Sequence, residues 1–127
     1  MVERKIEGKF NPVEVIGTVR SYVYKYPSGR LITEEDIQNS NTDTCIYVIS
    51  RQCGEGNDRK LEKGDFYITD LERSNIELIS KSYAFSILVL NIGGIIDLSF
   101  LDEISNIQSI VQYVQGGEEG GNALASL

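Results

Sequence analysis

The residues best suited to chemistry lie near the end of the chain, in Gln115-Gly116-Gly117-Glu118-Glu119-Gly120-Gly121-Asn122. Two adjacent carboxylates sit between pairs of glycines. Glycine turns at helix N-termini commonly cradle anions through free backbone N–H groups. Here the carboxylates would repel an anion, so the turn is better suited to general acid/base work. The flanking glycines allow a ligand or another backbone to approach closely. A competing role is helix capping, since acidic residues in a first turn stabilise it through the macrodipole by about 0.3–1 kcal/mol. The 127 residues include no histidine, which excludes Ser–His and Cys–His nucleophiles and most zinc sites. Any catalysis must run on carboxylates, with no metal or cofactor expected.

The elements around this turn follow from periodicity and punctuation. Ile107 to Val114 is short, apolar and β-branched enough to read as a buried strand, and Ala123 to Leu127 reads as the first turns of a helix. Thr44 to Ser50 is a nearly continuous apolar run, the pattern of a parallel strand covered on both faces. Cys45 within it reads as a small core residue. Ser86 to Ile92 is a third strand, ended by the turn Asn91-Ile92-Gly93-Gly94. Thr33-Glu34-Glu35-Asp36 opens a short helix by the capping-box pattern. Thr69-x-x-Glu72 caps a longer one, with Ile76, Ile79 and Tyr83 on one face. Asp97 to Glu103 reads as a further short helix. Earlier in the chain, Asn11-Pro12-Val13-Glu14 carries helix-start signals; the Val- and Tyr-rich stretch to Tyr24 makes a strand the competing reading.

Strands alternate with helices, which defines an α/β architecture with a parallel sheet. The chain has one domain's worth of residues, 41% of them hydrophobic, enough for a packed core. Its net charge of −7 and lack of a basic run argue against nucleic acid. No apolar stretch is long enough to span a bilayer, and the N-terminus lacks a signal-peptide apolar region. A cytoplasmic location is expected on that basis. Three strands make a small sheet, and the sequence ends in a helix that has barely begun, so a piece of a larger protein is expected.

Three loops leave the carboxyl ends of the strands: Arg51 to Asp65, Asn91 to Ile95, and Gln115 to Gly121. In a doubly wound sheet these gather on one edge, where such folds bind ligands. Together they supply Glu55, Asp58, Arg59, Asp65, Glu118 and Glu119. An acidic site without histidine fits sugars, whose hydroxyls need acceptors and whose glycosidic oxygen needs a proton. A nucleotide- or phosphate-binding module is the alternative for glycine turns. It is disfavoured by the acidic turn and by the lack of a P-loop lysine or Gly-x-Gly-x-x-Gly fingerprint.

Four motifs occur in order: Ile49-Ser50-Arg51-Gln52-Cys53-Gly54-Glu55-Gly56-Asn57-Asp58-Arg59-Lys60, then Lys63-Gly64-Asp65-Phe66-Tyr67, then Val89-Leu90-Asn91-Ile92-Gly93, then Gln115 to Ala123. The chain here resembles the C-terminal α/β sandwich domain of glycoside hydrolase family 3, the β-glucosidase family, over about residues 33–127. The resemblance implies a three-layer sandwich with a mostly parallel sheet, incomplete here. Residues 1–127 would form a single partial domain, with 1–32 a variable helical lead-in and 33–127 the core.

The resemblance also implies a role for each candidate residue. A barrel domain absent from this chain carries the nucleophilic Asp of the family. The acid/base Glu, commonly supplied from a loop ending in a Gly-Gln-Glu-Gly or Gly-Met-Glu-Gly pattern, matches Glu119. Glu118 stands where Gln or Met is usual and puts a second carboxylate beside it. Cys53 replaces a common Ser, and Val114 a common Trp. Arg51, Glu55, Asp58 and Arg59 are expected to contact substrate or dock the barrel. The expected substrate is a terminal β-D-glucoside or oligosaccharide, hydrolysed with retention. The isolated chain is expected to be inactive and to self-associate, with no nucleic-acid or membrane partner. A non-catalytic α/β interaction module is the alternative.

Overall fold

The computed structural model describes residues 15–18, 21–24, 29–51, 58–114 and 116–127. The chain divides into two compact units, Met1–Arg30 and Leu31–Leu127. In the first, β1 (Val15–Thr18) and β2 (Ser21–Tyr24) pair antiparallel, Val15 opposite Tyr24. This corrects the helical lead-in expected before residue 32. The β-branched and aromatic residues of Val15-Ile16 and Tyr22-Val23-Tyr24 suit a pleated strand better than a helix. The helix-start residues 11–14 themselves lie outside the described residues.

The second unit carries the remaining elements: α1 (Glu34–Ser40), β3 (Thr44–Arg51), α2 (Asp70–Ser82), β4 (Phe85–Ile92), a 3₁₀ turn (Ser99–Asp102), β5 (Ser109–Tyr113) and α3 (Gly120–Ala125). Both helical capping boxes form as their sequences require. Thr33 and Asp36 exchange side-chain and backbone bonds at the start of α1, and Thr69 and Glu72 do so at the start of α2. In each case the box satisfies N–H groups that the first helical turn leaves without partners. Asn41 ends α1 in the left-handed conformation, which asparagine tolerates.

β3, β4 and β5 form a parallel sheet in that order, Thr44 opposite Phe85 and Ile87 opposite Ser109. Together with the flanking helices they form part of an α/β sandwich. One face of the sheet holds Tyr47, Ile49, Leu88, Leu90 and Ile92. On it pack Ile76, Ile79 and Tyr83 from α2 and its C-cap, with Ile96, Phe100 and Ile104 from the β4–β5 connection. Each fully buried aliphatic side chain there contributes roughly 1.5–3 kcal/mol. Two polar side chains within this core are matched: Asn75 accepts from the Ile32 N–H and donates to the Tyr47 hydroxyl, and Ser86 donates to the Ile79 carbonyl.

The other face is unequal. Val89 of the central strand is buried, yet Ile46 is 63% and Val48 44% exposed on β3, and Phe85 is 52% exposed on β4. β3 is therefore covered on one side only, in contrast to the two-sided burial its composition implied. Tyr113 shares this open face with Val89 and Val111. Its hydroxyl lies where a Cβ on Gly116 or Gly120 would fall, so α3 begins on the side opposite α2.

Candidate active site

The carboxyl ends of β3, β4 and β5 lie along one edge of the parallel sheet, and the connection leaving β3 is tied down at both of its described ends. Arg51, the last residue of β3, is buried and points back toward the N-terminus of α2. Its guanidinium makes a two-pronged pair with Glu72, both bonds 2.7 Å, and also donates to the carbonyls of Ser50 at 2.8 Å and Asp65 at 3.1 Å. Glu72 at the same time accepts from the Thr69 N–H and hydroxyl. One carboxylate thus completes the α2 capping box and holds the end of β3. Burial pushes the Glu72 carboxyl up, but the Arg51 and Thr69 bonds outweigh it and leave the pKa below its ordinary value.

Asp65 closes the far end of the same connection. Its carboxylate accepts from the Lys60 N–H and from Nη1 of Arg59, both at 2.8 Å. The Lys60 N–H, followed by Arg59, holds its pKa below the usual carboxylate value. Arg51 and Arg59 therefore converge on one residue, the first on its carbonyl and the second on its side chain. Arg59 is largely buried, and among the described residues its Nε and Nη2 have no hydrogen-bond partner. Gly94, in the turn after β4, lies against them: a Cβ there would come within 3.3 Å of Nε and 3.6 Å of Nη2.

The remaining candidates are placed as follows. Asp58 is exposed, and Glu55 lies outside the described residues. Glu119 occupies the N-cap position of α3, exposed, with its carboxylate accepting from Asn122 at 2.5 Å. Its side chain makes no capping bond to the helix. Among the described residues it shares no hydrogen bond or ion pair with Arg51, Arg59 or Asp65. Two glycines of the turn serve packing around Tyr113. A Cβ on Gly116 would lie 1.7 Å, and one on Gly120 2.0 Å, from the Tyr113 hydroxyl. Gly117 and Gly121, flanking Glu118, Glu119 and Gly120, face open space. The described residues contain no cluster of three acidic, cysteine or histidine side chains able to hold a metal.

Sequence reasoning named Arg51 and Arg59 but missed the two carboxylates that organise them. Glu72 was visible only as a capping residue and Asp65 only as one acidic loop residue. Gly94 was read as a turn residue, and nothing in its sequence context marks the arginine packed against it.

An α/β sandwich module with charged loops gathered at the carboxyl edge of a parallel sheet is thus the class that fold and site define. The chain belongs to the family described as the glycosyl hydrolase family 3 C-terminal domain, which matches residues 5–127. It is 32% identical over 107 residues to beta-glucosidase A of Butyrivibrio fibrisolvens, covering 67% of this chain and 13% of that protein. It is 36% identical over 86 residues to a beta-glucosidase of Ruminococcus albus, covering 67% of this chain and 9% of that protein. Among solved structures it is similar to beta-glucosidase 3B from Thermotoga neapolitana in complex with glucose. That match has a TM-score of 0.70 and 32% identity, and covers 82% of this chain and 15% of the other. The chain thus spans only a small part of the length of these relatives. No helix among the described residues is long and apolar enough to cross a membrane.

Proposed function

We propose that this chain is the part of a β-glucosidase that donates and recovers the proton during retaining hydrolysis of terminal β-D-glucosides. The observation that carries the reading is membership of a family whose similar members are named β-glucosidases. The carboxylate-bearing loops along the carboxyl edge agree with it. A nucleophilic carboxylate, supplied by a barrel domain outside this chain, attacks the anomeric carbon. A protonated carboxyl from this chain donates its proton to the departing glycosidic oxygen, and a covalent glycosyl intermediate forms. The same group, now ionised, takes a proton from water as the water releases the sugar with overall retention. With only one of the two carboxylates, the isolated chain turns over no glucoside.

Glu119 is the first candidate for the proton-transferring group, from its place in the Gly117-Glu118-Glu119-Gly120 pattern. Glu119 is exposed in this chain, so the walls that would enclose it around a substrate come from the barrel. A second reading, Glu55, is favoured by one observation. α3 begins on the face opposite α2. A right-handed crossover continuing from there would return beside β3 rather than beyond β5. The switch point so formed, where open α/β sheets bind ligands, would lie next to the carboxyl end of β3. The connection carrying Glu55 leaves from that end.

Glu119→Ala and Glu55→Ala in the full-length, barrel-bearing protein separate the two. Loss of the acid/base slows glucosides with poor leaving groups by on the order of 10²–10⁴. Activated aryl glucosides still form the intermediate, and azide restores turnover as the β-glycosyl azide. The variant that azide rescues identifies the residue. Glu118→Ala is assayed beside them; if azide rescues none of the three, the proton-transfer role of this chain is refuted, and a non-catalytic interaction module becomes the better account.

A further inference from the structure

Arg59 is held from inside the protein. Its side chain is only 10% exposed, and among the described residues its one polar contact is the 2.8 Å bond from Nη1 to the Asp65 carboxylate. Its Nε and Nη2 are shielded from water, with Gly94 packed directly against them. That edge is closed to ligands, so the guanidinium serves as an internal strut between the connection after β3 and the turn after β4. A buried charge is costly unless it is paired, and donors without acceptors add to the cost. Asp65 supplies the compensation. The same carboxylate accepts from the Lys60 N–H at 2.8 Å, and the Asp65 carbonyl accepts from Nε of Arg51 at 3.1 Å. The next residue, Phe66, donates its N–H to the Lys60 carbonyl and accepts from the Asp97 N–H. Asp65 therefore joins the end of β3, the returning chain at residues 59 and 60 and, through Arg59, the turn at Gly94.

We propose that Asp65 is a positioning residue for proton transfer: by balancing Arg59 it holds the connection leaving β3, which carries Glu55, at the carboxyl edge of the sheet. The inference rests on the glycosidase reading above, with Glu55 rather than Glu119 as the proton-transferring group. Asp65 touches no substrate in this role, since its carboxylate is spent on Lys60 and Arg59. Three residues separate Glu55 from Arg59 in the sequence, so only a few peptide units carry a shift of the strut to it. The role needs a charge at residue 65. Asn keeps an acceptor for the Lys60 N–H but leaves the Arg59 guanidinium unbalanced, and a buried cation without a partner is driven toward water. The chain beside it then moves. A displacement of about 1 Å, caused far from the chemistry, is enough to slow a reaction on the order of 10²-fold.

The test uses the full-length, barrel-bearing protein with Asp65→Asn and Gly94→Ala. The second variant presses on the same guanidinium, since a Cβ there comes within 3.3 Å of Nε, and no left-handed backbone at Gly94 forbids alanine. On an alkyl β-glucoside, whose leaving group needs a proton, kcat falls about 10- to 100-fold in Asp65→Asn and a few-fold in Gly94→Ala, with KM nearly unchanged. On an activated aryl glucoside the glycosyl intermediate still forms at close to the wild-type rate, read as a burst, and azide raises the turnover that follows. Adding Asp65→Asn to Glu55→Ala costs no further activity, because the strut acts through that residue. An equal fall on both substrates overturns the proposal and assigns Asp65 to bracing the fold or docking the barrel. So does a further loss in the double variant, or no fall in Asp65→Asn. Azide rescue of Glu118→Ala or Glu119→Ala instead of Glu55→Ala overturns it as well. If Asp65→Asn unfolds, as thermal melting would show, Gly94→Ala decides. A wild-type protein inactive on every glycoside refutes the glycosidase reading itself, a result distinct from a failure of this positioning role alone.

Discussion

Replacing Glu72 with Gln tests whether one carboxylate holds α2 to the end of β3. The pair is well buried, with side-chain exposure of 7% for Arg51 and 16% for Glu72. Removing one partner of such a pair typically costs about 3–5 kcal/mol, because the other charge is left unbalanced. Arg51 would keep the Ser50 and Asp65 carbonyls, and Gln can still complete a capping box. Both facts place the expected loss near the bottom of that range or below it, at about 2–3 kcal/mol. Glu72→Ala also removes the cap, adding about 0.5–2 kcal/mol. Thr69→Ala removes a cap bond and leaves the ion pair, so it should cost only about 1 kcal/mol. Urea titrations of dilute protein followed by far-ultraviolet circular dichroism read these losses, provided the slope is shared among variants. A loss below about 0.5 kcal/mol for Glu72→Gln, the range of an exposed pair, would refute the latch.

Glu72 and Asp65 both have folded pKa values below their unfolded ones. Their stabilisation is therefore complete above the unfolded carboxyl values of about 4, and is lost as pH falls through the folded values. Urea midpoints should drop across that window and drop less in Glu72→Gln; equal drops would sink the assignment. Gly116→Ala and Gly120→Ala should each cost about 1–3 kcal/mol through overpacking against Tyr113, whereas Gly117→Ala and Gly121→Ala should be nearly neutral. Adding Tyr113→Phe should rescue Gly120→Ala, whose Cβ then lies 3.3 Å from the ring carbon, better than Gly116→Ala at 2.5 Å; melting temperatures decide. The isolated chain should self-associate through the exposed Ile46, Val48 and Phe85 face. Sedimentation at micromolar concentration should show this, with Ile46→Lys reducing it; a monomeric wild type refutes it.

The parallel sheet was legible because its strands are apolar runs bounded by glycine turns and alternate with capped helices. The capping boxes at Thr33 and Thr69 were legible because four residues specify them. The 3₁₀ turn was read as a short helix over Asp97 to Glu103, an apolar and acidic stretch whose spacing fits either form. The first unit was misread because Asn11-Pro12 outweighed the β-branched pattern that follows it. In the site, residue types announced chemistry, but partners did not. Arg51 stands in a motif that invites a substrate role, while its described donors are spent on Glu72 and two carbonyls. Such pairings depend on where a loop doubles back, and local sequence carries little information about that. Tyr113 filling the glycine turn is hidden for the same reason.

The all-parallel order of the sheet has a kinetic consequence. No strand in it meets a neighbour through a tight hairpin, so pairing Thr44 with Phe85 must wait until the whole intervening crossover has closed. The Arg51–Glu72 contact closes a shorter span, 21 residues, and needs only β3's last residue and one turn of α2. Our hypothesis is that this contact forms ahead of the sheet and sets α2 where β4 can add. Stopped-flow folding of Glu72→Gln would then show slower folding with little change in unfolding, and the reverse pattern would place the contact late.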